Sequence, residues 1–548
     1  MLSPAEASSP PRGRLARGWR NLPAILAFAL LAFQVILPWT TPRFTTQDGP
    51  SHLYTGVVLR DILLHPHGPR AAAYSVQRGI VPNWTSALLL GAAASAVGAA
   101  HAEQLLAGCC LMAGFFGFEY LCRALKPGPA WSPIANFLFQ NWFLWIGFYN
   151  FYLGMALCPF VAGYYIRHRR ALTIRRTALL ALGMSILFFT HIMAAALVAI
   201  AMGLLAVWNL TAESQYRVLG FRKAAGRVGL LVAAMLPTVA LAAFFATGSS
   251  EGVHFKPEIA RAWSEFPKGA FLVGSGRAAR EDLLWPAVFF AIAISVLALR
   301  RREWRGPKGG VAIVTVVLIG LYLFTPDDGF GGQEIKKRLA WAVFLIGSPL
   351  VCSAARLRPL RTPIAIYTAV FLAASLTTSM RVSHSVAGAA GEFLSSMSRI
   401  PPGATFVRVY YPIPNVAAQF GFEDVPFTPL FHTDAYVAAT RRLVDLSDYQ
   451  AASGLFAVVY DPIIDTGHRY NLWGLENAAN KNFESLKWLR ETLPIPIDYV
   501  VVVGDETSAD AKATDMSRTL AALDATMRLL PRAAPRSFVR VYQRIGAR

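Results

Sequence analysis

Long apolar runs, each about 17 to 22 residues, recur along this chain, and short loops rich in Arg and Lys separate them. A run of that length crosses the hydrocarbon core of a bilayer as a helix. Lipid offers the backbone no hydrogen bonds, so the spanning segments must satisfy their own amides as helices or closed barrels. The pattern therefore reads as an α-helical polytopic membrane protein. Charge content agrees, since 15% of the residues are charged against roughly 25% in a soluble globular chain. The net charge of +20 would suggest a nucleic-acid partner in a soluble protein. In a membrane protein the position of the charges matters more than their sum, and no nucleic acid is expected. Cys109, Cys110, Cys122, Cys158 and Cys352 lie in or beside apolar runs, which argues against a disulfide framework or a zinc site.

The basic loops set the sides. Arg12, Arg14, Arg17 and Arg20 precede the first span and mark residues 1–21 as a cytoplasmic N-terminus. The stretch 84–100, "WTSALLLGAAASAVGAA", is apolar enough to cross. If it crossed, the clusters at 167–176, 300–308 and 356–361 would all fall outside, against the positive-inside rule. Placed in the interface instead, it leaves 23 Lys and Arg against three acids on the inner side. The expected spans are then 22–41, 102–123, 131–147, 149–166, 174–190, 192–210, 228–246, 283–299, 310–325, 339–355 and 362–378, about eleven helices within a membrane domain of residues 22–380. A long first outer loop, 42–101, carries juxtamembrane helices, and the expected home is the inner (plasma) membrane.

Beyond residue 381 the pattern changes. "TFVRVYYP" (405–412), "GLFAVVYDP" (454–462), "DYVVVVGD" (498–505) and "SFVRVYQRI" (537–545) read as strands, rich in Val and Tyr and bounded by Pro, Gly or Asp. Helical stretches near 434–446, 472–492 and 509–530 alternate with them, so residues 381–548 are expected to form an extracytoplasmic α/β domain.

On this topology the unusual polar residues share the outer side. They include Asp48-Gly49-Pro50-Ser51-His52, Asn83, His101, Glu103, Asn150 in "FYNFY", His191, and the loop "TPDDGFGGQEIKKR" (325–338). The inner loops hold little besides basic and small residues. Nucleotide donors are absent outside the cell, so a transfer reaction there needs a donor that carries its own activation, such as a sugar on a polyprenyl phosphate. Asp48 suits a general base that deprotonates an acceptor hydroxyl, with His52 beside it as a second catalytic candidate. Gly331, Gly332, Lys336, Lys337 and Arg338 offer amides and cations to the departing phosphate, and Asn150 and His191 are further substrate-binding candidates. Plainer readings stand beside these. Asp before Gly-Pro is ordinary turn chemistry, and the cations and aromatics also suit interfacial anchors.

These residues resemble the GT-C superfamily of polytopic glycosyltransferases, especially the bacterial protein mannosyltransferase and aminoarabinose transferase groups. The resemblance covers about residues 20–380. It rests on an acid in the first outer loop, juxtamembrane helices after it, a span pair meeting at an outer polar turn, and a late basic outer loop. It implies a catalytic role for Asp48 and a phosphate-contacting cation among Lys336, Lys337 and Arg338. Many relatives carry a second acid at the outer turn after the third span, where this chain has Asn141 and Asn150, so a two-acid or metal-bound site gains no support. No metal ligand is assigned and no cofactor is required. The implied function is transfer of a sugar from a polyprenyl-phosphate donor to a glycan, lipid or protein acceptor, with membrane lipids as surroundings. The alternatives are a transporter or flippase of a lipid or envelope precursor, and a non-catalytic envelope scaffold. A transporter is expected to place ionisable residues at mid-membrane, and here they gather near the span ends.

Overall fold

A computed structural model of the chain describes residues 12–44, 46–126, 132–212, 221–246, 259–274, 281–327, 333–465, 482–506, 514–534 and 537–546. The protein is mostly helical. In chain order the first helices are α1 (Arg12–Ile36), α2 (Gly49–Leu64), α3 (Thr85–Val97), α4 (Ala99–Leu125), α5 (Pro133–Phe139), α6 (Trp142–Ile146), α7 (Tyr149–His168), α8 (Ile174–Thr190) and α9 (Ile192–Ala212). They are followed by α10 (Phe221–Ala246), α11 (Ile259–Glu265), α12 (Glu281–Leu297), α13 (Arg301–Trp304), α14 (Pro307–Phe324), α15 (Ile335–Ser353) and α16 (Arg361–Met397).

Six described stretches combine the length and apolarity needed to cross a membrane: Asn21–Thr40, Ala99–Leu125, Ile192–Ala212, Arg222–Ala246, Pro307–Phe324 and Ala355–Met397. This is a multi-pass membrane protein. The expected spans at 149–166, 174–190, 283–299 and 339–355 are α7, α8, α12 and α15, helices of 17 to 20 residues. The expected third span, 131–147, is not one helix. It breaks at Gln140-Asn141 into α5 and α6, and every residue from Pro133 to Ile146 is buried. This segment is apolar because protein surrounds it, which hydropathy alone does not distinguish from lipid. Polar side chains cover the break. Asn141 accepts from the Phe143 amide at 2.9 Å and donates to the Leu138 carbonyl at 2.8 Å. Gln34 reaches the Asn136 carbonyl at 2.9 Å, and Asn136 donates to the Ala27 carbonyl at 2.9 Å. Irregular backbone is tolerated at membrane depth only with such internal partners.

The stretch 84–100 holds helix α3, whose 13 residues span about 20 Å, short of the roughly 30 Å core of a bilayer. The Trp84 amide bonds the Phe189 carbonyl at the end of α8. Past the other end, Glu103 in the second turn of α4 bonds Thr46. Helices α2 and α3 approach closely, since a Cβ on Gly56 would meet the Ala87 carbonyl at 2.7 Å.

Helix α16 runs unbroken for 37 residues, from the bundle through position 381 to Met397. After it come β2 (Thr405–Tyr410), α17 (Pro414–Phe420), α18 (Thr433–Arg441), β3 (Val444–Asp445), α19 (Tyr449–Ser453), β4 (Val458–Tyr460), α20 (Pro462–Asp465), α21 (Asn482–Thr492), β5 (Tyr499–Val503), α22 (Met516–Thr526), β6 (Met527–Leu529) and β7 (Val539–Arg544). Five strands form one sheet in the order β3-β2-β5-β7-β6. Strand β2 runs parallel to β3 and β5, and β7 runs antiparallel to β5 and β6. All five β5 residues are buried, as expected of a central strand covered on both faces.

Strand β4 does not join the other strands read from the sequence. It pairs antiparallel with β1 (Tyr74–Val76) of the first loop, Tyr74 opposite Tyr460. Arg70 strengthens the same junction, donating to the carbonyls of Leu443 at 3.2 Å and Ala438 at 2.7 Å. The loop after the first helix and the last third of the chain are thus one structure over the end of the bundle.

Candidate active site

Asp48 occupies the cap position of α2, but its carboxylate does not cap that helix. Thr46 takes that work, its Oγ1 accepting from the Gly49 amide at 3.0 Å. The Asp48 amide donates to the Ile146 carbonyl at 2.8 Å, which pins the turn to the end of α6. The turns fit tightly. Gly147 has φ +79, and a Cβ there would overlap Thr46 and Gly49, so position 147 requires glycine twice over. A Cβ on Gly49 would overlap the Glu103 carboxylate beneath it.

Freed from capping, the Asp48 carboxylate faces the last third of the chain and is 7% exposed. Oδ1 accepts from Gln47 Nε2 at 3.2 Å and stands 3.6 Å from His432 Nε2. Oδ2 accepts from the Tyr449 hydroxyl at 3.4 Å. Burial pushes the Asp48 carboxyl up to about 7, against the opposing pull of the Gln47 and Tyr449 hydrogen bonds and the Arg408 charge. Burial also holds His432 well below the usual imidazole range, reinforced by the charge of Arg408. The Asp48–His432 contact is therefore one between a carboxyl and a neutral imidazole, not an ion pair.

His52 lies one turn along α2. Its ring packs edge-on against Tyr149 and Phe456, and its Nδ1 is 3.5 Å from Ser86 Oγ. Burial pushes its pKa down to about 3, so the ring is neutral at physiological pH.

Glu103 is the second acid at this turn. Its Oε1 accepts from Thr46 Oγ1 at 2.8 Å and from the Tyr149 hydroxyl at 3.0 Å. Its Oε2 is buried without a hydrogen-bond partner among the described residues. The second carboxylate thus comes from α4, not from the expected positions of Asn141, which caps the start of α6, and Asn150. Asn150 is also committed internally, accepting from the Ser86 amide at 2.9 Å and donating to the Asn83 carbonyl at 3.3 Å.

The late-loop cations divide by environment. Arg338 is buried at the start of α15, its guanidinium over the rings of Phe148 and Phe151. Its Nη1 lies 3.0 Å from His191 Nε2, so the structure brings together two residues 147 positions apart. His191 Nδ1 accepts from the Met193 amide, which leaves Nε2 to face the arginine. Arg338 Nε is buried without a hydrogen-bond partner among the described residues. The rings under Arg338 begin two residues after the carbonyl that holds Asp48, so one turn, 146–151, serves both groups. Lys337 instead pairs with Glu334 at 2.8 Å and sits 4.0 Å over the Trp142 ring. At Lys336 it is the backbone amide that bonds, to Asp327 at 3.1 Å. Gly331 and Gly332 lie outside the described residues. Among the described residues no group of three or more His, Cys, Asp and Glu is arranged to hold a metal.

The sequence reading did not single out His432, Tyr449, Gln450 or Arg408. Asp448 caps the short helix α19, accepting from the Gln450 amide at 3.1 Å, and this places Tyr449 and Gln450 over α2. The polar turn "DLSDYQ" ahead of an apolar strand was the available signal, but nothing local says that it faces residue 48. Ser51 donates to Asp448 at 3.2 Å and Thr55 to Gln450 Oε1 at 2.8 Å, so successive turns of α2 read successive roof residues.

No protein-family model matches the chain, and no curated protein matches it. Solved structures do. ArnT from Cupriavidus metallidurans bound to undecaprenyl phosphate aligns with a TM-score of 0.52 at 11% identity, covering 96% of this chain and 98% of that one. The apo state of the same protein aligns with a TM-score of 0.51 at 10% identity over the same shares. The arabinofuranosyltransferase AftD from Mycobacteria aligns with a TM-score of 0.49 at 16% identity, covering 96% of this chain, which spans only 40% of AftD. At such identities the likeness is one of architecture, and the chain has a GT-C-like fold.

Proposed function

We propose that the chain is a membrane glycosyltransferase that moves a sugar from a polyprenyl-phosphate donor to an acceptor at the Asp48 end of the bundle. The observation that carries this reading is Asp48 itself: a buried carboxyl, raised toward neutrality, on the first loop of a GT-C-like fold. A base works best when its pKa lies near the working pH. In the proposed reaction Asp48 accepts the proton of an acceptor hydroxyl. The hydroxyl oxygen attacks the anomeric carbon, and the bond from that carbon to the phosphate oxygen breaks with inversion. The lipid phosphate departs with the electron pair, and the buried Arg338, oriented by His191, meets its charge.

ArnT holds undecaprenyl phosphate in one of its structures, which supports a polyprenyl carrier here. The proposed location is the plasma membrane, with the basic N-terminus inside and the Asp48 end outside. The basic loops support this orientation, because Arg123 at the end of α4 and Lys308 beside the end of α15 lie at the pole opposite Asp48.

The test is to purify the full chain and incubate it with a panel of synthetic undecaprenyl-phosphate-linked sugars. Mass spectrometry then follows release of undecaprenyl phosphate, with water or added alcohols as acceptors. Release with at least one sugar, lost in Asp48→Asn, is the expected result. No release from any panel member, together with no retention of undecaprenyl phosphate by the protein, would overturn the reading.

A further inference from the structure

We propose that Tyr449 and His432, supplied by the last third of the chain, are positioning residues that hold the Asp48 carboxylate from two sides. This inference rests on the reading of Asp48 as the base. It makes the C-terminal sheet region a working part of the site and not a passive display.

The geometry is directional. Thr55 Oγ1 donates to Gln450 Oε1 at 2.8 Å, Gln450 Nε2 donates to the Tyr449 hydroxyl at 3.3 Å, and that hydroxyl donates to Asp48 Oδ2 at 3.4 Å. The chain of donors leaves α2, passes through α19 and returns to the residue that starts α2. Because Gln450 supplies a proton to the Tyr449 oxygen, the hydroxyl proton is left to point at Asp48. Oδ1 faces His432, whose ring packs against Tyr449 at 4.9 Å between centroids, tilted by 31°. Its 3.6 Å separation is one short movement from a hydrogen bond, as is common before substrate binds.

Arg408 is anchored behind this pair. It lies on β2, donates to the Phe431 carbonyl, and stands 3.6 Å from Asp434. A cation fixed there disfavours a second positive charge on His432. His432 is then better suited to donate from Nε2–H than to take up the proton that Asp48 accepts. The sheet, through Arg408 and Phe431, therefore sets where His432 stands.

The titratable and charged groups around Asp48 are His52 on α2, Glu103 on α4, Tyr149 on α7, Arg408 on β2, His432 ahead of α18, and Asp448 and Tyr449 at α19. Both proposed donors favour the ionised carboxylate, so loss of either raises the pH at which Asp48 ionises.

The experiment uses the full chain in lipid nanodiscs and needs no sugar substrate. Infrared titration follows the protonated carboxyl band of Asp48, identified as the band absent from Asp48→Asn. Tyr449→Phe removes one hydroxyl with little change of shape. It should raise the midpoint by about 0.5–1 pH unit. His432→Leu should shift it in the same direction, and His432→Gln, which retains an N–H donor of similar reach, should shift it less. With any sugar released by the wild type, Tyr449→Phe should lower kcat about tenfold with KM unchanged. Unshifted midpoints in both Tyr449→Phe and His432→Leu would overturn the proposal, even if activity fell. Failure of the glycosyltransferase reading looks different, because the midpoints would move while no sugar is released by the wild type.

Discussion

The two ends of the bundle handle charge in opposite ways. At the basic end, charges are paired or exposed: Arg123 with Glu119 at 2.7 Å, and Lys308 with Glu303 at 2.6 Å and the Ser353 carbonyl at 2.8 Å. At the Asp48 end, Asp48 and Asp448 are buried against neutral groups, although Asp434 there faces Arg408 at 3.6 Å and Asp61 pairs with Arg70 at 2.6 Å. Asp48 meets an amide, a phenol and a neutral imidazole, and Asp448 meets a serine and a backbone amide. A buried carboxylate without a cation is costly, so it drifts toward its protonated form. On the proposed orientation the basic end faces the cytoplasm. The Asp48 end carries a standing cost in stability, as sites of proton transfer commonly do.

The comparison breaks most decisively at Asp48. Asp48→Asn retains size and loses basicity, so release of undecaprenyl phosphate should fall by roughly 10²–10⁴-fold. Lys308→Met at the other end should leave the rate unchanged. Equal losses in both variants, measured on protein still present in the membrane, would mean that the two ends do not differ in kind.

Arg338 comes next. Arg338→Gln removes the buried cation over Phe148 and Phe151 and should weaken undecaprenyl phosphate binding about 10- to 100-fold. Native mass spectrometry against a phospholipid competitor measures this. Lys337→Gln should change binding by less than about threefold, since Lys337 already pairs with Glu334 and a partly exposed pair contributes little. A larger effect for Lys337 would reverse the assignment of the phosphate contact.

The smallest effect is on stability. Burial raises Asp48 and Asp448 each to about 7. At these two sites the folded state binds more protons than the unfolded chain between pH about 4 and about 7, so their contribution to stability falls as pH rises through that window. The buried, neutral His52 and His432 act in the opposite sense below pH about 6.5. Asp448→Asn removes one carboxyl and leaves the histidines, so its melting temperature at pH 8 minus that at pH 5 should exceed the wild-type difference by about 2 °C or more. An unchanged difference would show that Asp448 is ionised in the fold.

Residues close in sequence carried much of this, because their meaning is local. Basic loops beside apolar runs mark one face, and the turn at Asp48-Gly49-Pro50 was legible as a place where a carboxylate is held. Helix α2 was legible in the helix-like stretch after His52, and α3 in the apolar run at 84–100, which the charge pattern placed in the interface as an expectation. The strands at 405–412, 498–505 and 537–545 showed themselves by Val and Tyr between turn residues.

What the tertiary structure decided is pairing at long range and the surroundings of each apolar surface. Hydropathy measures transfer from water, not whether lipid or protein lies opposite, so the buried α5–α6 break read as a span. A strand carries no mark of its partner, so β4 gave no sign that Tyr460 pairs with Tyr74 of the first loop. Asp48 stood out in the sequence, but its neighbours did not. Tyr449 lies 401 positions from Asp48 and His432 only slightly nearer, and only the folded chain brings their polar atoms to the carboxylate that they meet.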